Sequence, residues 1–299
     1  MEKVCVLMST YNGEKYLNEQ MDSILNQKNI EVDILVRDDG STDNTLNILK
    51  EYIKKYKNIS YYTGTNLRSA KSFMNLLFTA KEYNYYAFSD QDDVWDKNKL
   101  YVAVSKLKEG YNLYGGKKSI VDSELKKMNC EDEIPFSLNL GSVILRCRIA
   151  GCTMVFDKKL REELLKYNPK VLSMHDSWVL KVAASIGKIF YDQKEYILYR
   201  QHSNNVVGAK KNFIKQFKER ILNLKKRKEQ SSVRILMARE LYDNYSDFLS
   251  KNDKENLYYF VNYKENYEYR LKLLKNNFIC GDNLLDTFFI KVLILLGIF

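Results

Sequence analysis

Five polar clusters in this sequence have the residue types that chemistry requires. Ser89-Asp90-Gln91-Asp92-Asp93 sets three carboxylates within four residues. Such crowding is either an Asp-rich turn or a site whose repulsion is relieved by a hard divalent cation, because Mg²⁺ prefers carboxylate and phosphate oxygens. Asp96 alone could cap the helix that follows. Arg37-Asp38-Asp39-Gly40-Ser41 has turn and cap composition. It also offers a carboxylate to a nucleotide base N–H, with Asp38 or Ser41 structural and Asp39 toward the ligand. In Asn66-Leu67-Arg68-Ser69-Ala70-Lys71, Arg68 and Lys71 open a helix. They are either solvated cations or contacts for a pyrophosphate at the helix N-terminus. His175-Asp176-Ser177-Trp178 holds one of the two histidines beside an acid that is either a helix cap or a general base. Arg200-Gln201-His202 holds the other, as an anion site or a metal ligand.

These clusters need elements to position them. Val4–Ser9, Val32–Val36, Ile59–Tyr62 and Tyr85–Phe88 read as short buried strands. Between them, Tyr16–Asn26, the segment after Ser41-Thr42-Asp43, and Ser69–Ala80 have helical spacing. This βα alternation predicts an open, mostly parallel sheet covered on both faces, with its ligand at the carboxyl ends of the strands. Ser9-Thr10-Tyr11-Asn12-Gly13, the Arg37 cluster and the Ser89 cluster all follow strands, so they converge on one rim. Farther on, a strand over Gly151–Phe156, helices over Lys158–Tyr167 and Asp176–Ser185, and strands over Lys188–Tyr191 and Tyr196–Tyr199 are expected. Strand signals stop near 211, and helical patterns run over 212–228, 231–250, 253–276 and 284–298. A boundary therefore falls near 210, dividing a region 1–210 from a helical, basic region 211–299.

The composition is globular: 299 residues, 45% hydrophobic and 29% charged, which excludes disordered and collagen-like classes. The five Cys have no zinc spacing and read as reduced thiols. No secretory signal is evident and no run of 18 apolar residues occurs, so a cytoplasmic location is expected. The net charge of +10 is uneven, with nine basic groups against Glu219 alone between Lys210 and Lys228. Phe213, Ile214, Phe217, Ile221 and Leu224 lie at helical spacing within that stretch. A basic amphipathic helix of this kind either lies on an anionic membrane or packs on the rest of the chain.

Six segments in order resemble a family 2 glycosyltransferase of the GT-A fold, and more narrowly its bacterial rhamnosyltransferase-like branch. They are Val4–Asn12, Val36–Ser41, Ser89–Trp95, Gly151–Phe156, His175–Trp178 and Tyr199–Asn205, and they cover residues 1–210. The resemblance implies an α/β GT-A domain, a nucleotide-sugar donor and a divalent metal, Mg or Mn. It places Thr10, Tyr11 and Asp39 at the nucleotide base and Asn12 among the donor contacts. Asp90 lies near the ribose, and Lys71, Arg200 and His202 are donor contacts, the last two on a loop over the pyrophosphate. Asp92 is the foremost metal ligand, with Asp90, Asp93 and His202 as further ligands. Asp176 is the base of an inverting transfer, and Gly151, Cys152, His175 and Trp178 lie toward the acceptor. The branch implies L-rhamnose from dTDP-rhamnose, a lipid-linked saccharide acceptor and surface-polysaccharide synthesis. It also implies a peripheral contact of 211–299 with the inner face of the membrane, or a homodimer contact there. Where the family has Asn-x-Gly after the third strand, this chain has Asn66-Leu67-Arg68, so a left-handed residue is not expected at 68.

Three other classes fit less well. A sugar nucleotidyltransferase needs a Gly-rich basic loop after strand one, where this chain has Ser9-Thr10-Tyr11-Asn12-Gly13. A nucleic-acid partner would meet an acidic rim and finds no matching motif. A donor-binding pseudoenzyme would not need both Asp92 and Asp176. Other donors, UDP-hexoses or UDP-N-acetylhexosamines, suit the same fold.

Overall fold

The computed structural model describes residues 1–128, 136–201 and 224–299. Its frame is one eight-stranded sheet in the order β3-β2-β1-β4-β7-β6-β8-β5. β1 (Glu2–Thr10) lies between β2 (Ile30–Asp38) and β4 (Tyr85–Ser89), parallel to both, and β3 (Ile59–Thr63) extends the parallel half. The nearly unbroken apolar run of β1 has a direct cause: Val4, Val6 and Met8 enter one core cluster, and Cys5 and Leu7 the other. Helices α1 (Leu17–Leu25), α2 (Thr45–Lys55) and α3 (Arg68–Thr79) make the crossovers. Strand order reverses at β1, so the carboxyl ends of β1, β2 and β4 open one crevice there.

The second half of the sheet is mixed. β5 (Val94–Trp95) pairs antiparallel with β8 (Ile189–Arg200), which runs parallel to β6 (Leu113–Val121). β7 (Val155–Asp157) is antiparallel to both β4 and β6. The acidic loop 90–93 therefore joins β4 to a strand at the far edge of the sheet.

The parallel half agrees with the sequence reading, and the mixed half departs from it. β5, β6, α4 (Lys99–Lys108) and α5 (Leu140–Leu145) were not anticipated. Gly151–Thr153 is a 3-10 turn, so the strand expected over Gly151–Phe156 begins only at Val155. α6 (Lys158–Leu165) and α7 (His175–Ile186) stand where expected. The two strands foreseen at 188–199 are one strand, β8, whose pairing with β6 shifts register twice.

Four helices close the chain: α8 (Leu224–Tyr245), α9 (Lys251–Asn262), α10 (Tyr267–Lys275) and α11 (Leu284–Leu295). The helix expected over 253–276 is thus two, and the boundary expected near 210 lies outside the described residues. Met237, Ala238, Leu241 and Tyr245 share one hydrophobic cluster with Trp178, Val179 and Val182 of α7. Trp178 is fully buried, its ring 6.0 Å from those of both Tyr167 and Tyr245. Each such buried side chain contributes about 1.5–3 kcal/mol, so these helices and the sheet stabilise one another. Charge adds a second seam, since Arg146 pairs with Asp282 and Asp286, and Arg148 with Asp282.

Gly141 in α5 lies directly beneath the Phe278 carbonyl, where a Cβ would overlap the backbone. Gly141→Ala is expected to lower the urea midpoint by an amount equivalent to about 1–3 kcal/mol. Near- and far-ultraviolet dichroism should still change in one transition. An unchanged midpoint would mean that the segment around Phe278 is not seated on α5.

Candidate active site

The rim begins with two loops zipped together. Thr10 and Asp38 end paired strands and are buried; the Thr10 hydroxyl donates to Asp38 at 3.0 Å. Asp38 also accepts the N–H groups of Gly40 and Ser41, at 3.1 and 2.9 Å. Asn12, at φ 48°, accepts from the Thr42 N–H at 2.8 Å, and its own N–H donates to Ser41 Oγ at 2.9 Å. Tyr11 is the outward member, 47% exposed. Its N–H and carbonyl are clamped by the Gln91 amide at 2.8 and 3.0 Å. The sequence reading passed over Gln91, whose only signal was its place between two Asp residues.

Asp39 departs from its expected place as an open carboxylate. It is 2% exposed, pairs with Arg37, and accepts the N–H groups of Leu67 at 2.8 Å and Arg68 at 2.9 Å. Those bonds also hold Arg68 at φ 63°, so the left-handed residue that the missing glycine spoke against is present. Two N–H groups on one carboxylate offset the cost of the strained backbone. Thr10, expected at the base, is likewise spent on Asp38. Lys71 is exposed on the first turn of α3.

The acidic loop is the electrostatic centre. Asp90, Asp93 and Cys152 bring ligand atoms within 4.8 Å of one another. Asp93 is fully buried; Oδ1 accepts the Arg200 N–H at 3.1 Å and Oδ2 has no hydrogen-bond partner. Burial first, then the Asp92 carboxylate, pushes Asp90 up to about 7, and Asp176 adds to the rise. Burial, Asp90 and Asp92 raise Asp93 well above the usual range. An orphaned buried oxygen among crowded carboxylates fits a divalent cation. The tight group contains Asp90 and Asp93, both expected as ligands, with Cys152 rather than Asp92 beside them. Asp92 lies at the rim, half-buried. Cys152, expected toward the acceptor, is instead part of this acidic floor.

Arg200 is also placed differently from expectation. Its side chain is 1% exposed, with Nε donating to the Asp92 carbonyl at 2.9 Å, Nη1 to the Ser123 carbonyl and Nη2 to Glu19. The guanidinium also covers the Tyr16 ring at 4.2 Å. It fastens the end of β8 to the acidic loop and α1 rather than standing open over the crevice. His202 lies outside the described residues.

Asp176 is half-buried in the first turn of α7. One oxygen accepts the Ser177 N–H at 2.6 Å and the other the Gly151 N–H at 3.2 Å. Gly151 is needed here because the His175 ring occupies the space a Cβ would take. That ring is 4.1 Å from Phe73 and 4.9 Å from Phe88, with neither nitrogen hydrogen-bonded. Gly151, His175 and Trp178, expected toward the acceptor, are therefore buried, and Gly151 and His175 fix the position of Asp176.

Residues 5–162 match the family described as Glycosyl transferase family 2. The chain belongs to that family. A relative named dTDP-rhamnosyl transferase RfbG, from Shigella flexneri, is 32% identical over 79% of this chain and 86% of its own length. A UDP-Glc:alpha-D-GlcNAc-diphosphoundecaprenol beta-1,3-glucosyltransferase, WfgD from Escherichia coli, is 25% identical over 87% of this chain and 91% of its own. A crystal structure of S. aureus TarS in complex with UDP superposes with a TM-score of 0.61 at 22% identity, over 88% of this chain and 71% of that one. This family 2 glycosyltransferase thus has the GT-A fold. The family is one of nucleotide-sugar transfer.

Burial holds the His175 imidazole down to about 4, against 6.5 when unfolded. The unfolded chain therefore binds a proton that the folded one refuses between those values, and stability falls as pH drops from 6.5 to 4. The loss approaches about 3 kcal/mol. Urea melts should show a shallower pH dependence over that window in His175→Leu than in the native chain. Equal slopes would refute the buried neutral imidazole.

Proposed function

We propose that this chain is an inverting transferase that moves L-rhamnose from dTDP-rhamnose to a lipid-linked saccharide in surface-polysaccharide synthesis. The observation that carries the transfer is a half-buried Asp176, fixed by the Gly151 N–H and close enough to the acidic loop for its charge to raise Asp90. The rhamnosyl donor is supported by the dTDP-rhamnosyl transferase relative.

The chemistry follows from the geometry. An acceptor hydroxyl is a weak nucleophile, and Asp176 takes its proton as the oxygen attacks the anomeric carbon. The bond from that carbon to the diphosphate oxygen breaks on the opposite face, its electron pair leaving with the nucleotide. Tyr11, clamped by Gln91, and the exposed Lys71 line the donor side. Asp90 and Asp93, with Asp92 at the rim, would hold Mg²⁺ or Mn²⁺, which as a Lewis acid neutralises charge on the departing diphosphate. Asp39 and Arg200 act by bracing the loops that the donor meets.

A second donor reading, a UDP-hexose or UDP-N-acetylhexosamine, draws on the WfgD relative and on the UDP bound to TarS. The acceptor reading also draws on WfgD, whose name carries a diphosphoundecaprenol acceptor. Among the described residues no helix is long and apolar enough to cross a membrane. On α11, however, Leu284, Leu285 and Phe288 are 89%, 71% and 69% exposed. We read that face as the peripheral contact with the inner membrane surface, and a homodimer as its alternative. The basic stretch 210–223 lies outside the described residues.

A panel of nucleotide sugars tested for donor consumption should give dTDP-rhamnose the highest kcat/KM. A UDP-sugar in first place would select the second reading. Asp176→Asn should lower kcat by roughly 10²–10⁴-fold, with donor affinity by calorimetry changed less than about twofold. A folded variant of full activity would remove Asp176 from the base role. Metal titrations followed by dTDP binding should lose their metal dependence in Asp93→Asn, and Asp92→Asn should weaken it. Persistence of that dependence in both variants would place the metal elsewhere.

A further inference from the structure

One cation at the crevice belongs to none of the motifs. Lys118 lies on β6 where its pairing with β8 slips: Lys117 stands opposite Glu195 and Ser119 opposite Leu198, so two β8 residues face Lys118 alone. Bulges of this kind re-aim side chains beside active sites. Lys118 is half-buried, and its ammonium lies 3.4 Å from the centre of the Tyr199 ring. The next residue along β8, Arg200, donates its N–H to Asp93 Oδ1 at 3.1 Å, so the ammonium on Tyr199 stands beside the acidic loop. No hydrogen bond from it to a described residue occurs, whereas the neighbouring Lys117 turns to Glu195 at 3.7 Å. An ammonium on an aromatic face beside a carboxylate cluster is only partly neutralised and keeps all three donors for an incoming oxygen.

We propose that Lys118 is a donor-contacting residue whose ammonium binds the diphosphate of the nucleotide sugar and stabilises it as it leaves. The proposal rests on the nucleotide-sugar reading of the crevice. When the anomeric carbon–oxygen bond breaks, its electron pair becomes negative charge on the diphosphate, and the acceptor proton goes to Asp176. Lys118 neither gains nor loses a proton; it supplies fixed positive charge beside that oxygen. Such a charge acts more on the leaving group than on the bound donor, so its loss should fall more heavily on kcat than on KM. The Tyr199 ring holds the ammonium until the donor arrives.

Calorimetry of dTDP, UDP and the corresponding monophosphates, with and without Mn²⁺, tests the assignment in the full chain. Lys118→Met should weaken binding of the preferred diphosphate about tenfold or more while changing monophosphate binding less than twofold, and kcat should fall at least tenfold. Lys118→Arg should recover most of both, and Lys117→Met should match the native chain. Thermal melts of Lys118→Met within a few degrees of native establish that it is folded, and if it is not, Lys118→Arg against Lys118→Gln provides the same comparison. Equal diphosphate affinity and kcat in a folded Lys118→Met or Lys118→Gln would overturn the assignment alone, leaving the donor reading intact. No binding of either diphosphate by the native chain would overturn the donor reading and this proposal together.

Discussion

Like charge crowded into a low-dielectric corner is the constraint on which the rest of this molecule depends. Asp90, Asp92 and Asp93 crowd the carboxyl end of β4, with Asp176 near enough to act on Asp90, and burial drives Asp90 and Asp93 toward their neutral forms. A surface loop would relax by moving these groups apart. Here the loop is fastened at both ends, by β4 in the middle of the sheet and by β5 paired to β8 at its edge. Arg200 ties down its interior through the Asp92 carbonyl and the Asp93 carboxylate. The fold holds the acids where a cation or a cationic side chain gains most from meeting them.

Many residues of the recognisable motifs make the frame rather than touch ligand. Thr10, Asp38, Asp39 and Arg200 look like binding residues by type, yet each is buried with protein partners. The carboxylate of Asp39 secures a left-handed Arg68 without a glycine. Gly151 and His175 act in the same way on Asp176, one by a backbone N–H and close approach, the other by filling the space between Phe73 and Phe88. Among the described candidates, Tyr11 and Lys71 stay exposed, and Asp90, Asp92, Lys118 and Asp176 are half-buried.

The C-terminal helices are part of the same core. α8 packs on α7, the helix that carries Asp176, and Asp282 and Asp286 reach Arg146 and Arg148 just before Gly151. The exposed apolar face of α11 therefore lies on an element that is continuous in packing with the Asp176 support.

The sequence by itself determined the parallel half of the sheet, the order of the motifs and the presence of Asp176 and the acidic loop. Those features are local, written in unbroken apolar strands, helical spacing and polar residues at strand ends. The mixed half was not legible, because β5 is two residues long and β6 carries Gly115, Gly116 and two lysines where a strand signal needs apolar alternation. The partnership of Cys152 with Asp90 and Asp93 joins residues about sixty apart in the chain, and no spacing rule encodes it. Only the tertiary structure decided which polar residues face the crevice and which are spent inside it. That choice depends on the partners a side chain meets across strands and loops, and residue type says nothing of them.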